Sequence, residues 1–369
     1  MTTMKILPNN LKRQYDLHCD EYKAKAIEVL DSGWYILGKE VDAFEREWAE
    51  YIGVKHCAGV ASGLDSLVMA FRILGTGEGD EVIVCSNAYI ACVMGITING
   101  ATPVFVEPDE YLNIDAKKIE QAITSKTKAI LAVHLSGQCC DMNTIMKIAH
   151  RYKLNVVEDC AQAQGNTFNN AKAGTFGDIS CFSFYPSKGC GAFGDAGALC
   201  TNNSSYDRMA RIIRNYGSEK RYENKLVGMN SRLDELQAGL LRVKLKYLDE
   251  MNSERDTLAS RYNSNLNNPY IIKPKIRPSC SSSWHQYVVR CEERDLLQSY
   301  LADHGIGSLI HYPIPPHLSE AYGYLGYKQG DFPIAERLAS EVLSLPMYNG
   351  MTEEEQDEVI SILNSFTIG

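Results

Sequence analysis

Short apolar runs that do not alternate with polar residues recur through the first half of the chain, at residues 81–84, 102–106, 129–135, 155–158, 179–183 and 198–201. Runs of this kind, rich in Val and Ile, predict strands buried on both faces. Between several of them apolar residues return with helical spacing, over 64–74, 114–123 and 142–152. Strands alternating with helices predict a mostly parallel sheet covered on both sides, an α/β domain. After Ser204 the texture changes to a helix at 206–214 and a longer, Leu- and charge-rich one over 234–249 that reads as a connector. Beyond it the pattern predicts a strand at 286–290, a helix at 293–304, a strand near 308–310, and helices at 335–342 and 353–363. These suit a smaller α+β domain. The expected division is a large domain with its N-terminal segment at 1–245 and a small one at 246–369.

Composition narrows the function. The 369 residues carry 37 Lys and Arg against 46 Asp and Glu, a net charge of −9 with the signs interspersed, which argues against a nucleic-acid footprint. The longest apolar run, 88–98, is about half of the ~20 residues that a membrane helix needs. The opening MTTMKILPNNLKRQYD turns polar too early for a signal peptide, so a cytoplasmic protein with no membrane partner is expected. The 12 cysteines are scattered through apolar contexts, apart from Cys139-Cys140, and no C-x-x-C occurs. They read as buried thiols of a reducing compartment, with neither disulfides nor a metal site.

Candidate chemistry lies at the predicted strand ends. In SCFSFYPSKGCGAFGDAGA, residues 180–198, a strand delivers Ser183 and Tyr185, Pro186 stops it, and Lys188 comes next in a glycine-rich turn. A lysine so placed suits an amine that condenses with an aldehyde, or is a solvated loop residue. The letters of Gly189 to Gly194 also match G-x-G-x-x-G. A dinucleotide fingerprint must open a helix, whereas residues 195–201 read as a turn and another strand. Val156-Val157-Glu158-Asp159 ends in a carboxylate at the edge where open α/β sheets bind ligands. Asp159 there either caps a turn or keeps a pyridine nitrogen protonated, the electron sink of transamination. Val60-Ala61-Ser62-Gly63-Leu64-Asp65 is a small-residue turn into a helix, whose free amides form a phosphate cradle, although Asp65 equally serves as a first-turn carboxylate. Tyr89 starts the next helix and either stacks on an aromatic ring or belongs to the core.

Phosphate turn, aromatic, strand-end Asp and post-strand Lys, in that order, describe a site for pyridoxal phosphate. The order resembles the aspartate-aminotransferase fold (PLP fold type I). The wording resembles the DegT/DnrJ/EryC1/StrS family of nucleotide-sugar aminotransferases, from Gly33-Trp34-Tyr35-Ile36-Leu37-Gly38 almost to the C-terminus. Its strongest pieces are Glu158-Asp159-Cys160-Ala161-Gln162-Ala163, Ser183-Phe184-Tyr185-Pro186-Ser187-Lys188, Gly194-Asp195-Ala196-Gly197-Ala198 and Asn230-Ser231-Arg232-Leu233-Asp234. The resemblance implies that Lys188 joins the cofactor and shuttles the proton, Asp159 takes the pyridine nitrogen, Gln162 the ring hydroxyl side and Tyr89 the stacking face. Ser183 and the amides of Ser62, Gly63, Leu64 and Asp65 would hold the phosphate. Asn230 would reach the phosphate of the neighbouring subunit in a homodimer. Leu64 stands where the family usually has Thr, so one hydroxyl contact is missing, and Gly189-Cys190 replaces a commoner pair. Members with histidine in place of the lysine are dehydratases; Lys188 favours transamination.

The stretches around Tyr216 to Tyr222 and His311 to His317, with Trp34 and Tyr35, resemble those of enzymes that aminate C-3 of a dTDP-3-keto-6-deoxyhexose, with L-glutamate as donor and a dTDP-3-amino-3,6-dideoxyhexose as product. Trp34, Tyr35, Tyr185, Lys220, Arg221 and His317 are the candidate substrate contacts, Lys220 and Arg221 reading equally as a surface salt bridge. The alternatives are C-4 amination of a nucleotide-linked 4-keto-6-deoxyhexose, a non-catalytic pyridoxal-phosphate-binding regulator, and an NAD-dependent sugar oxidoreductase.

Overall fold

The computed structural model describes residues 4–368. Seven strands form the central sheet: β1 (His56–Val60), β2 (Glu81–Cys85), β3 (Thr102–Val106), β4 (Thr127–Val133), β5 (Asn155–Asp159), β8 (Ile179–Ser183) and β9 (Gly197–Thr201). Two small hairpins, β6–β7 (Thr167–Phe168, Ala171–Lys172) and β10–β11 (Ser218–Lys220, Glu223–Asn224), stand apart from the sheet, and β12 (Tyr287–Arg290) pairs with β13 (Val342–Leu345). The order in the sheet is β1-β9-β8-β5-β4-β2-β3, with β9 antiparallel to both neighbours and the remaining pairs parallel. This is the expected α/β architecture. Helices α1 (Leu11–Asp16), α2 (Cys19–Ser32) and α3 (Lys39–Ile52) precede the sheet; α4 (Gly63–Ile73), α5 (Ile90–Thr97), α6 (Met142–Tyr152) and α7 (Ser204–Ile213) are woven through it. Next come α8 (Glu235–Leu245) and α9 (Leu248–Asn265), then α10 (Arg294–Asp303), α11 (Pro333–Glu341) and α12 (Glu353–Ser365). No described helix is long and apolar enough to cross a membrane.

Several expectations shift. The predicted 234–249 helix breaks at Lys246-Tyr247 into α8 and α9, the second running on to Asn265. Residues 114–123 form only a 3-10 helix, Ala116–Ala122, and 308–310 make a single bridge, Leu309 to Ser344, instead of a strand. Strand β1 is not legible from the pattern because His-Cys-Ala-Gly-Val has one β-branched residue and draws its place from pairing with β9. Helix α3 carries a readable pattern: Val41, Phe44, Trp48 and Ile52 share one face and are buried. The segment after Gly194 leads into β9 and opens no helix.

One apolar core spans residues 41–248, with Tyr322 packed into it; a second gathers Ile6 with residues 258–366. Ile6 bridges Ile306, which ties the start of the chain to the second core. In the first, Trp48 meets Phe182 and Phe184 edge-on, with ring centroids 5.2 and 4.8 Å away. Burying a side chain of that size contributes upwards of about 2 kcal/mol. Because successive residues of an extended chain face opposite ways, seating Phe182 and Phe184 in the core turns Ser183 and Tyr185 the other way. The same alternation separates Glu158 from Asp159. Glu158 is fully buried and accepts from His134 Nε2 (2.9 Å) and the amides of Gly174, Phe176 and Gly177 (2.9, 2.8 and 2.7 Å). His134 Nδ1 accepts from Cys140 N at 3.1 Å, so the proton sits on Nε2 and points at the carboxylate. A charged group thus bonded anchors the loop between β7 and β8, and with it the end of β5.

Candidate active site

The carboxyl ends of β1, β5 and β8 open onto a cavity of about 460 Å³. Ser62, Gly63 and Leu64 line it from the turn into α4, Tyr89 from the N-terminus of α5, Asp159 from the end of β5, and Ser183, Tyr185 and Lys188 from the segment leaving β8. The turn fits there because two neighbours are small. Gly197 lies opposite both Val60 and Ser183, and a Cβ on it would stand 2.4 Å from the Ser62 carbonyl carbon. A Cβ on Gly63 would stand 2.6 Å from that of Ser183, so the helix start and the Ser183 hydroxyl are held side by side.

Ser62 caps α4, its hydroxyl accepting from Asp65 N at 3.1 Å. The Asp65 amide, expected in the phosphate cradle, is thus bonded within the cap. The Asp65 carboxylate does not line the cavity and accepts from Ser231 Oγ at 2.6 Å. The amides of Gly63 and Leu64, at the first two positions of the helix, have no intrahelical acceptor and leave the anion-binding end of α4 open.

Asp159 is buried, with Oδ1 accepting from Ala161 N and Oδ2 from Cys92 Sγ, both at 3.0 Å. The Lys188 amine has no hydrogen bond or ion pair to another described residue; the backbone amide donates to the Tyr185 carbonyl at 2.8 Å. Burial lowers its pKa below the usual lysine value, while the negative charge of Asp159 works the other way. The cavity therefore holds an amine biased toward its free base across from a fixed carboxylate, which is the donor set a pyridine aldehyde needs.

Tyr89 is half-exposed, and its ring lies 4.8 Å from that of Tyr312 at 29°. Gln162 does not line the cavity. Its Oε1 accepts from Ser136 N (2.7 Å) and its Nε2 donates to the Tyr312 hydroxyl (3.1 Å), so its link to the site runs through Tyr312. The expected substrate contacts divide: Tyr185 lines the cavity, whereas Trp34, Tyr35, Lys220 and Arg221 do not. Trp34 and Tyr35 are exposed and bond backbone carbonyls of Ile36 and Leu30. Lys220 and Arg221 project from the β10–β11 hairpin into solvent, and Asn230 is exposed beside Asn215. His317 does not line the cavity either: its ring is buried against Phe332 and its Nε2 bonds Glu336 Oε1 at 3.1 Å.

Four further residues line the cavity from the C-terminal third of the chain: His285 and Gln286, which no sequence motif singles out, and His311 and Tyr312, which open the family-like 311–317 stretch without being among the candidate contacts. His311 Nδ1 pairs with Ser344 Oγ at 2.9 Å, and burial beside Lys188 pushes its pKa down to about 4. His285 is pushed well down by burial, Lys188 and Arg255, and its buried Nδ1 has no partner among the described residues. Both imidazoles are neutral at pH 7. For His285 and Gln286 the signal is position alone, Trp284-His285-Gln286 lying at the start of the predicted 286–290 strand.

Comparison with known proteins agrees with this geometry. The chain is 52% identical over 339 residues, 92% of its length and 93% of the other's, to a dTDP-3-amino-3,6-dideoxy-alpha-D-galactopyranose transaminase of Aneurinibacillus thermoaerophilus. It superimposes with a TM-score of 0.96, at 43% identity and covering 98% of both chains, on S. venezuelae DesV solved with a ketimine intermediate. The putative sugar aminotransferase Spr1654 from Streptococcus pneumoniae, in its PLP form, matches with a TM-score of 0.88 at 27% identity, over 94% of this chain and 95% of the other. The DegT/DnrJ/EryC1/StrS aminotransferase family profile spans residues 18–364, and with Lys188 and Asp159 facing one cavity at the sheet's carboxyl edge, the chain belongs to that family.

Proposed function

We propose that this aminotransferase uses pyridoxal phosphate to move an amino group from L-glutamate to C-3 of a dTDP-3-keto-6-deoxyhexose. The observation that carries the reading is the pairing of a desolvated lysine with a strand-end carboxylate in one cavity, in a chain half identical to a dTDP-3-amino-sugar transaminase. The Gly63 and Leu64 amides with the Ser183 hydroxyl would take the phosphate, Asp159 the ring nitrogen, Tyr89 a face of the ring, and Lys188 the aldehyde. Bound there, the cofactor supplies the electron sink for removing a proton beside the amine. Lys188 Nζ would be the base placed to move that proton. Tyr185 and the neutral His285 and His311 offer the substrates hydrogen bonds. The two apolar cores support a division near residue 245 into a part that binds the cofactor and a smaller part that roofs the cavity. A panel of dTDP-linked 3-keto and 4-keto sugars offered with L-glutamate tests the substrate. Amination of the 3-keto members is expected; turnover of 4-keto sugars alone replaces the C-3 reading, and turnover of neither favours the regulator.

Among the described residues the cavity offers no cation besides Lys188 for a pyrophosphate, and a protein of net charge −9 needs local ones to accept it. Lys220, Arg221 and Asn230, exposed and away from their own cavity, suit a homodimer in which each subunit completes the other's site. Lys188→Ala and Asn230→Asp proteins, each inactive alone, should recover about a quarter of wild-type activity on random reassortment, because one site of each hybrid receives both native residues. No recovery, or a monomeric mass under assay conditions, argues against a shared site.

A further inference from the structure

Each oxygen of the Asp159 carboxylate has one donor. Ala161 N, to Oδ1, comes with the turn at the end of β5. Cys92 Sγ, to Oδ2, comes from α5, 67 residues away in the chain. Cys92 is buried in the first turn of that helix, and its amide bonds the Tyr89 carbonyl at 2.9 Å. The turn that presents the Tyr89 ring therefore also sets the thiol against the carboxylate.

We propose that Cys92 is a positioning residue for aminotransfer, its S–H clamping the Asp159 carboxylate in the orientation that meets the cofactor's pyridine nitrogen. The inference rests on Asp159 being the partner of that nitrogen. A strand-end carboxylate with a single local donor keeps rotational freedom; a second donor from a separate element removes it. A thiol is a weak donor, so it orients the carboxylate while drawing little of the charge that the pyridinium needs. Burial and the facing carboxylate push the thiol far above its ordinary pKa, which keeps it a neutral donor and an inert one.

Cys92→Val nearly conserves volume without a donor, and Cys92→Ser restores one. In apo protein, the infrared difference between wild type and Cys92→Val should show an S–H stretch at lower frequency than a free thiol, moving upward in Asp159→Ala. Titration of apo Cys92→Val with pyridoxal phosphate should give about 3- to 10-fold weaker binding, with kcat reduced by a similar factor, both KM values unchanged, and most of both losses regained in Cys92→Ser. Wild-type affinity and kcat in Cys92→Val, or a free-thiol S–H frequency in wild type, overturns the clamp. Should Cys92→Val not fold, the comparison of wild type with Asp159→Ala decides alone. Asp159→Asn separates the two readings: near-native turnover there removes the role of Asp159 itself, whereas lost turnover with an unaffected Cys92→Val removes only that of Cys92.

Discussion

Lys188→Ala should lower transamination by at least about 10⁴-fold, because the substitution removes both the amine that joins the cofactor and the base that moves the proton. On titration with pyridoxal phosphate, apo protein of this variant should not show the shift of the cofactor's absorption to longer wavelength that joining to the lysine produces. Folding should survive, since the Lys188 amine has no partner among the described residues to lose and the backbone bond to Tyr185 is kept by Ala. Its lowered pKa makes a second, independent readout. Between its folded pKa and the ordinary lysine value the unfolded chain binds more protons than the native one, so stability rises with pH through that window. The penalty for burying the charged amine is complete below the folded pKa and is relieved above it. Denaturant unfolding of the apo proteins should therefore show wild type gaining on Lys188→Ala between neutral and alkaline pH. A variant that keeps more than a few per cent of native turnover would sink the assignment of Lys188.

Asp159→Asn should cost about 10²- to 10³-fold in turnover. The amide keeps the shape, and its oxygen can still accept from Ala161 N, but the negative charge facing the cavity is gone. Losing an adjacent opposite charge drops the pKa of a ring nitrogen by roughly 1–3 units, which shifts its protonated fraction by about 10- to 10³-fold at fixed pH. Cofactor retention should change much less, because the phosphate cradle of Gly63, Leu64 and Ser183 is untouched. The checks are steady-state kinetics alongside equilibrium binding of pyridoxal phosphate to apo protein. Turnover within about threefold of native would leave Asp159 only a turn residue.

Much of the site is legible in the sequence because its parts lie at strand ends. Asp159, Ser183 and Lys188 come at or directly after buried apolar runs, and Ser62-Gly63-Leu64 comes directly before an apolar helix; in a parallel sheet those positions meet at one edge whatever the loops do. Gln162 and His317 show the limit. Both occupy stretches of family-like wording, yet neither lines the cavity: Gln162 bonds Ser136 and Tyr312, and His317 Nε2 bonds Glu336. Which polar group a side chain finally bonds depends on elements distant in the chain, and local spacing carries no record of it.

The sequence by itself determined the α/β architecture and the carboxyl-edge placement of Lys188 and Asp159, since local period and motif order suffice for these, and the wording of its motifs carried the resemblance to the family. The tertiary structure alone decided the break between α8 and α9, the inclusion of β1 in the sheet, the neutral His285 and His311 roofing the cavity, and the thiol of Cys92 on Asp159. Each of these depends on a partner tens of residues or more away, or on a desolvation that exists only once two cores have packed together, and burial is a property of the assembled molecule rather than of any segment.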